Sequence, residues 1–127
     1  MDTFKAEIPN NFRLPRRINR LGDLAYNLWW TWNPDAQRLF IKIDRALWER
    51  TNHNPIRFLS MVQRAQLNTV TQNHYYLETY DRIFKEYDNY MNTDDTWCSR
   101  NHPEYNHRPI AYFSSEFGLH ETLPIYA

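Results

Sequence analysis

Twice this chain places an asparagine directly before a proline, at Asn33-Pro34 and Asn54-Pro55. A residue before proline is pushed out of helical backbone, an asparagine there can accept hydrogen bonds from the open N–H groups of a new helix, and proline fits the first helical turn. Each pair therefore ends one segment and starts a helix, which commits this part of the chain to short helices. Only two glycines occur in 127 residues. A glycine-rich phosphate loop is excluded on that count.

Apolar residues at three- and four-residue steps fill the intervals. A first helix is expected from Pro15, with Ile18, Leu21, Ala25, Leu28, Trp29 and Trp32 on one stripe. Gly22 costs that helix about 1 kcal/mol relative to alanine and suggests a close neighbouring backbone. Trp30 falls off the stripe, against a neighbouring domain or partly exposed. After Pro34, Ala36, Leu39, Phe40 and Ile43 share a face. Asp44 caps a short turn to Arg50 that carries Leu47 and Trp48. After Pro55 come Ile56, Leu59 and Val62, and the stretch Gln63 to Thr71 either continues that helix or opens another. The longest helix is expected over Asn73 to Met91, with Tyr76, Leu77, Tyr80, Phe84, Tyr87 and Met91 in a stripe and a Glu78–Arg82 pair four apart.

Aromatic residues make up 17% of the chain, so large rings can build a core in an otherwise polar sequence. Lys+Arg and Asp+Glu both number 15. A zero balance argues against nucleic acid or an acidic membrane as partner. Only Lys5, Lys42 and Lys85 are lysines, leaving 12 arginines, which favour fixed ion pairs and stacking. Cys98 is the single cysteine, which excludes an internal disulfide framework and fits a reducing compartment. No apolar run is long enough to cross a membrane and Met1 to Pro15 lacks a secretory apolar core, so the expected location is the cytoplasm.

Periodicity ends at Asn92. Residues 92–109 read as a loop, and Ile110 to Ser114 as one apolar β-strand. A lone strand cannot satisfy its own backbone and needs a sheet to join. Within the loop, Cys98, His102, Glu104 and His107 are ligand types for zinc, but their spacing matches no zinc pattern well. His53 and His74 read as surface or capping residues. Arg13, Arg16, Arg17 and Arg20 form a basic stretch that holds a phosphate, faces solvent or pairs with acids elsewhere. Ser114 or Ser115 with His120 lacks the sequence frame of a hydrolase nucleophile.

Two segments together resemble a known family. Leu24 to Ala36 (LAYNLWWTWNPDA), with Leu47-Trp48 and Asn54-Pro55, looks like the helical N-terminal domain of bacterial and archaeal α-glucan phosphorylases. Ile110 to Tyr126 (IAYFSSEFGLHETLPIY) resembles the opening strand and loop of their catalytic core. The resemblance implies a mainly α fold. A bundle of about four helices at 15–92 follows an extended lead-in, 1–14. A linker, 93–109, then leads to one β-strand of a truncated Rossmann-like (glycosyltransferase B-type) domain at 110–127.

It also implies the parent reaction: phosphorolysis of α-1,4-glucans by inorganic phosphate, releasing glucose 1-phosphate, with pyridoxal phosphate as cofactor. In the family, a Gly-Gly-Leu-Gly loop and the cofactor's lysine lie beyond the position of Ala127. This chain alone is therefore expected to bind no cofactor and to be inactive, with the remainder of the catalytic core as its partner. Glu116 corresponds to a glutamate beside the bound sugar, or caps backbone N–H groups in its loop. His120 and Glu121 are cleft-lip candidates for substrate binding. The alternative is a non-catalytic helical module for docking, oligomerisation or glucan binding, with Trp30 and Tyr26 as its rings.

Overall fold

The computed structural model describes residues 11–108, 110–116 and 118–122. Residues 1–10 of the expected lead-in, Pro109 and Phe117, and residues 123–127 of the expected catalytic loop lie outside the described residues. The chain is mainly α, as expected. Among the described residues six α-helices lie within 15–92 in place of about four, and a seventh follows: α1 (Leu21–Tyr26), α2 (Pro34–Ile41), α3 (Arg45–Arg50), α4 (Pro55–Met61), α5 (Arg64–Thr71), α6 (His74–Met91) and α7 (Trp97–Asn101). Short 3-10 turns lie at Arg16–Ile18, Leu28–Trp32 and Pro103–Tyr105.

The helices are short because acidic and amide caps recur. Asn33, Asp44, Asn54 and Asn73 each accept the N–H three residues ahead, at 3.2, 2.9, 3.0 and 3.0 Å. Each such cap stabilises its helix by about 1 kcal/mol. The Leu47 N–H and the Gln66 amide on Asp44 hold its carboxyl below the ordinary range. Val62 is extended and Gln63 N–H donates to Gln66 Oε1 at 3.3 Å, so Gln63–Thr71 opens a separate helix, α5.

α6 is the spine. Tyr76, Tyr80, Ile83, Phe84 and Tyr87 are buried along it, whereas Met91 is half exposed where the core runs out. Tyr76 Oη donates to the Leu39 carbonyl at 3.2 Å and ties α6 to α2. The expected Glu78–Arg82 pair is not made. Glu78 meets His74 at 3.0 Å, and Arg82 turns to Asp35 of α2 at 2.8 Å and Glu86 at 2.9 Å. Two arginines of the basic stretch pair with acids: Arg17 with Asp81 at 2.6 Å, and Arg20 through both Nη atoms with Asp88, lying 4.5 Å from the Phe84 ring centre.

The first helix is not continuous to Trp32. Asn27 is extended and its side chain accepts the Trp29 N–H at 2.9 Å, which starts a tighter three-residue turn. That turn lies between two packing surfaces. Trp29 meets Tyr87 of α6 edge-on at 5.4 Å, and Trp30 faces the opposite way onto Trp48 at 6.1 Å. Trp30 is thus 2% exposed, correcting its placement off the apolar face. Trp32 reaches the end of α6 beside Tyr90 and is 58% exposed, although its spacing marked it as core.

Two further differences follow from local chemistry. The stretch read as a loop contains α7, because Thr96 Oγ1 accepts the Ser99 N–H at 3.0 Å. Ile110 to Ser114 forms no strand, and no β-strand occurs among the described residues. A β-ladder needs a neighbouring edge, and the helical domain supplies none. Trp30→Ala is expected to cost about 3–5 kcal/mol and Trp32→Ala less than about 1 kcal/mol in urea unfolding. Equal costs would contradict the register described here.

Candidate functional site

Four rings from different elements form the centre of the fold: Trp30, Phe40 of α2, Trp48 of α3 and Phe58 of α4. Phe40 stacks on Trp48 at 5.3 Å with planes 7° apart, and Phe58 meets both edge-on at 5.9 Å. Two imidazoles lie on the outer side of this cluster. His53 stacks on Trp48 at 5.6 Å, and His120 meets Trp30 edge-on at 4.6 Å. The chain after the helical domain thereby returns to it.

His53 is placed by the end of α3. The His53 N–H bonds to the Trp48 carbonyl at 3.1 Å and the Asn52 N–H to the Glu49 carbonyl at 3.0 Å, the crossed pair that closes a helix C-terminus. Asn52 and His53 both have positive φ, 51° and 58°. This conformation favours glycine and costs other residues stability, so packing must hold it. It does: Thr51 is buried with its hydroxyl on the Trp48 carbonyl at 3.0 Å, and the His53 ring lies on Trp48.

Both ring nitrogens of His53 meet carboxylates. Nδ1–H donates to Glu121 Oε1 at 2.7 Å and Nε2–H to Glu49 Oε2 at 2.9 Å. Only the protonated imidazole has both donors. The Glu49 and then the Glu121 hydrogen bond raise its pKa above the ordinary value, against a smaller effect of burial. Glu49, Asn52, His53 and Glu121 line an open recess of about 370 Å³. Neither nitrogen serves as a base in this state.

The residues singled out in the sequence are only partly brought together. Glu121 reaches His53. His120 Nδ1 accepts the Thr122 N–H at 3.2 Å and lies 3.0 Å from the Thr122 hydroxyl. Glu116 is exposed, and its N–H donates to Ser114 Oγ at 3.0 Å, so the serine and His120 are engaged separately. Cys98 Sγ is 3.9 Å from the His102 carbonyl, and His102 Nδ1 is 3.3 Å from Glu104. His107 lines a different recess with Asp94 and Asn106. Among the described residues no three of His, Cys, Asp or Glu converge as a metal set. No described helix is long and apolar enough to cross a membrane.

His53 was read as a surface or capping residue. Its Glu49 partner, four residues earlier on α3, was a legible signal; Glu121, 68 residues away, was not.

Residues 14–123 match the family model described as "Protein of unknown function (DUF3417)". The chain belongs to the DUF3417 family. This DUF3417 chain is 34% identical over 127 residues to the maltodextrin phosphorylase of Thermococcus litoralis, covering 100% of the chain and 15% of that protein. It is 39% identical over 107 residues to the glycogen phosphorylase of Aquifex aeolicus, covering 84% of the chain and 14% of that protein. The glycogen phosphorylase of Mycobacterium tuberculosis is 34% identical over 119 residues, covering 90% of the chain and 14% of its own length. The DUF3417 chain therefore spans about one-seventh of the curated relatives it matches. No solved structure matches it.

The sign of the His53 linkage follows from its partners. A pKa raised by folding gives stability that is complete below the ordinary imidazole value, about 6.5, and lost as pH rises through the folded value. His53→Gln is therefore expected to destabilise the chain more at pH 5.5 than at pH 9 in urea unfolding.

Proposed function

We propose that this chain is the N-terminal part of an α-glucan phosphorylase, in which a helical domain docks against a catalytic core and delivers that core's first strand and loop. Identity of 34–39% over 84–100% of the chain to proteins named maltodextrin or glycogen phosphorylase carries the reading. The exposed run at 110–113 supports it. Ile110, Tyr112 and Phe113 are 80%, 79% and 91% exposed, an apolar stretch suited to burial in a neighbouring sheet. In that setting residues 110–114 become the strand that the helical domain cannot pair, and 93–109 serve as the linker. An exposed thiol at Cys98 accords with the cytoplasm.

The reaction is phosphorolysis: inorganic phosphate takes the terminal glucosyl unit of an α-1,4-glucan as glucose 1-phosphate. Such a site needs charge-stabilising donors around two phosphates and a developing oxocarbenium ion. The described residues do not fit pyridoxal phosphate. Lys42 is exposed with its ammonium 4.3 Å from the Tyr75 ring centre, and Lys85 is exposed on α6. The remainder of the enzyme supplies the cofactor, and this chain alone has no turnover. Its own contribution is the Glu116 carboxylate, which accepts a hydrogen bond from the sugar, with His120 and Glu121 at the cleft lip.

The alternative glucan platform of Trp30 with Tyr26 loses one of its rings, because Trp30 is inside the core. Replacing the matching stretch of the Thermococcus litoralis enzyme with this chain tests the phosphorylase reading. The chimera is expected to release glucose 1-phosphate from maltodextrin and phosphate. Glu116→Gln should lower its kcat/KM about 10- to 100-fold, the scale of a lost charged hydrogen bond. A folded chimera that binds pyridoxal phosphate without turnover would contradict the reading.

A further inference from the structure

The segment 118–122 meets the helical domain through two ring contacts of different character. His120 meets Trp30 in an edge contact between rings. His53 between Glu49 and Glu121 depends on charge, because both nitrogens must donate.

We propose that His53 is a positioning residue that clasps the 118–122 segment onto the helical domain, and that the clasp opens when its imidazole loses a proton. The charged groups facing His53 are Glu49 from α3 and Glu121 from the segment; its other neighbours are the Trp48 ring and Asn52. A neutral imidazole keeps one N–H, so one carboxylate must then face a lone pair.

The two acids are unequal competitors for the remaining N–H. Glu49 sits four residues before His53 at the end of α3, within reach whatever the segment does. Glu121 reaches His53 only while residues 118–122 stay ordered against the domain, and that ordering carries an entropic cost. Deprotonation therefore leaves Glu49 in place and releases Glu121. The two ring nitrogens thus face acids from two separate parts of the chain.

The clasp stands without the phosphorylase reading; with it, the helical domain sets the position of the loop that follows Glu116. Because each side chain is partly open to solvent, this is a switch of small energy, screened by salt.

The test is a pH titration of the 127-residue chain, labelled with nitrogen-15, following the histidine ring and backbone signals from pH 5.5 to 9. The His53 midpoint is expected to fall in both Glu121→Gln and Glu49→Gln. In the unaltered chain the amides of Leu119, His120 and Glu121 should shift with the His53 midpoint. Glu121→Gln should abolish that co-titration. An unchanged His53 midpoint in either variant, or amides at 119–121 indifferent to it, would overturn the clasp. Both variants change exposed side chains, and circular dichroism checks that they remain folded.

Discussion

The stack of Phe40 on Trp48 organises the molecule. Two large rings 5.3 Å apart bring α2 and α3 together, and Phe58 and Trp30 close on Trp48 from α4 and the 3-10 turn. Helices of six to eight residues are too short to be stable alone. Here each of α2, α3 and α4 contributes a buried ring to one cluster, so none has to be. The same cluster offers its outer side to His53 and His120. Core packing and the reception of the later segment therefore depend on the same indoles.

α6 stabilises the opposite side. Its buried Tyr87 receives Trp29, while its acids Asp81 and Asp88 hold Arg17 and Arg20. These pairs are exposed or half-exposed, and each contributes little alone. Arg20 also covers the Phe84 ring, so its fork on Asp88 fixes the approach of the first turn to the spine. The 3-10 turn between these two sides lets consecutive residues, Trp29 and Trp30, be buried in opposite directions.

Sequence patterns revealed most where chemistry is local. The caps at Asn33, Asp44 and Asn54 each need only the next three residues and form as read, and Asn73, expected only as the start of the longest helix, caps it in the same way. The stripe of α6 was legible because 18 residues share one period. Trp29 is buried as read, but Trp30 and Trp32 were misread because Asn27 ends α1 through a side-chain bond, after which a 3.6-residue period no longer applies. The strand at 110–114 depends on an edge that the described residues lack. The contact between Glu121 and His53 spans 68 residues and left no periodic trace. Glu116, His120 and Glu121 were marked by resemblance, and the structure sets His120 against Trp30 and Glu121 against His53.

The indole cluster receives the segment after the helical domain. Nuclear Overhauser contacts between aromatic protons measure this directly in the 127-residue chain. Cross-peaks are expected from Trp30 to His120 and from Trp48 to His53, alongside those joining Trp48 to Phe40 and Phe58. Cluster cross-peaks without any from Trp30 to His120 would contradict it.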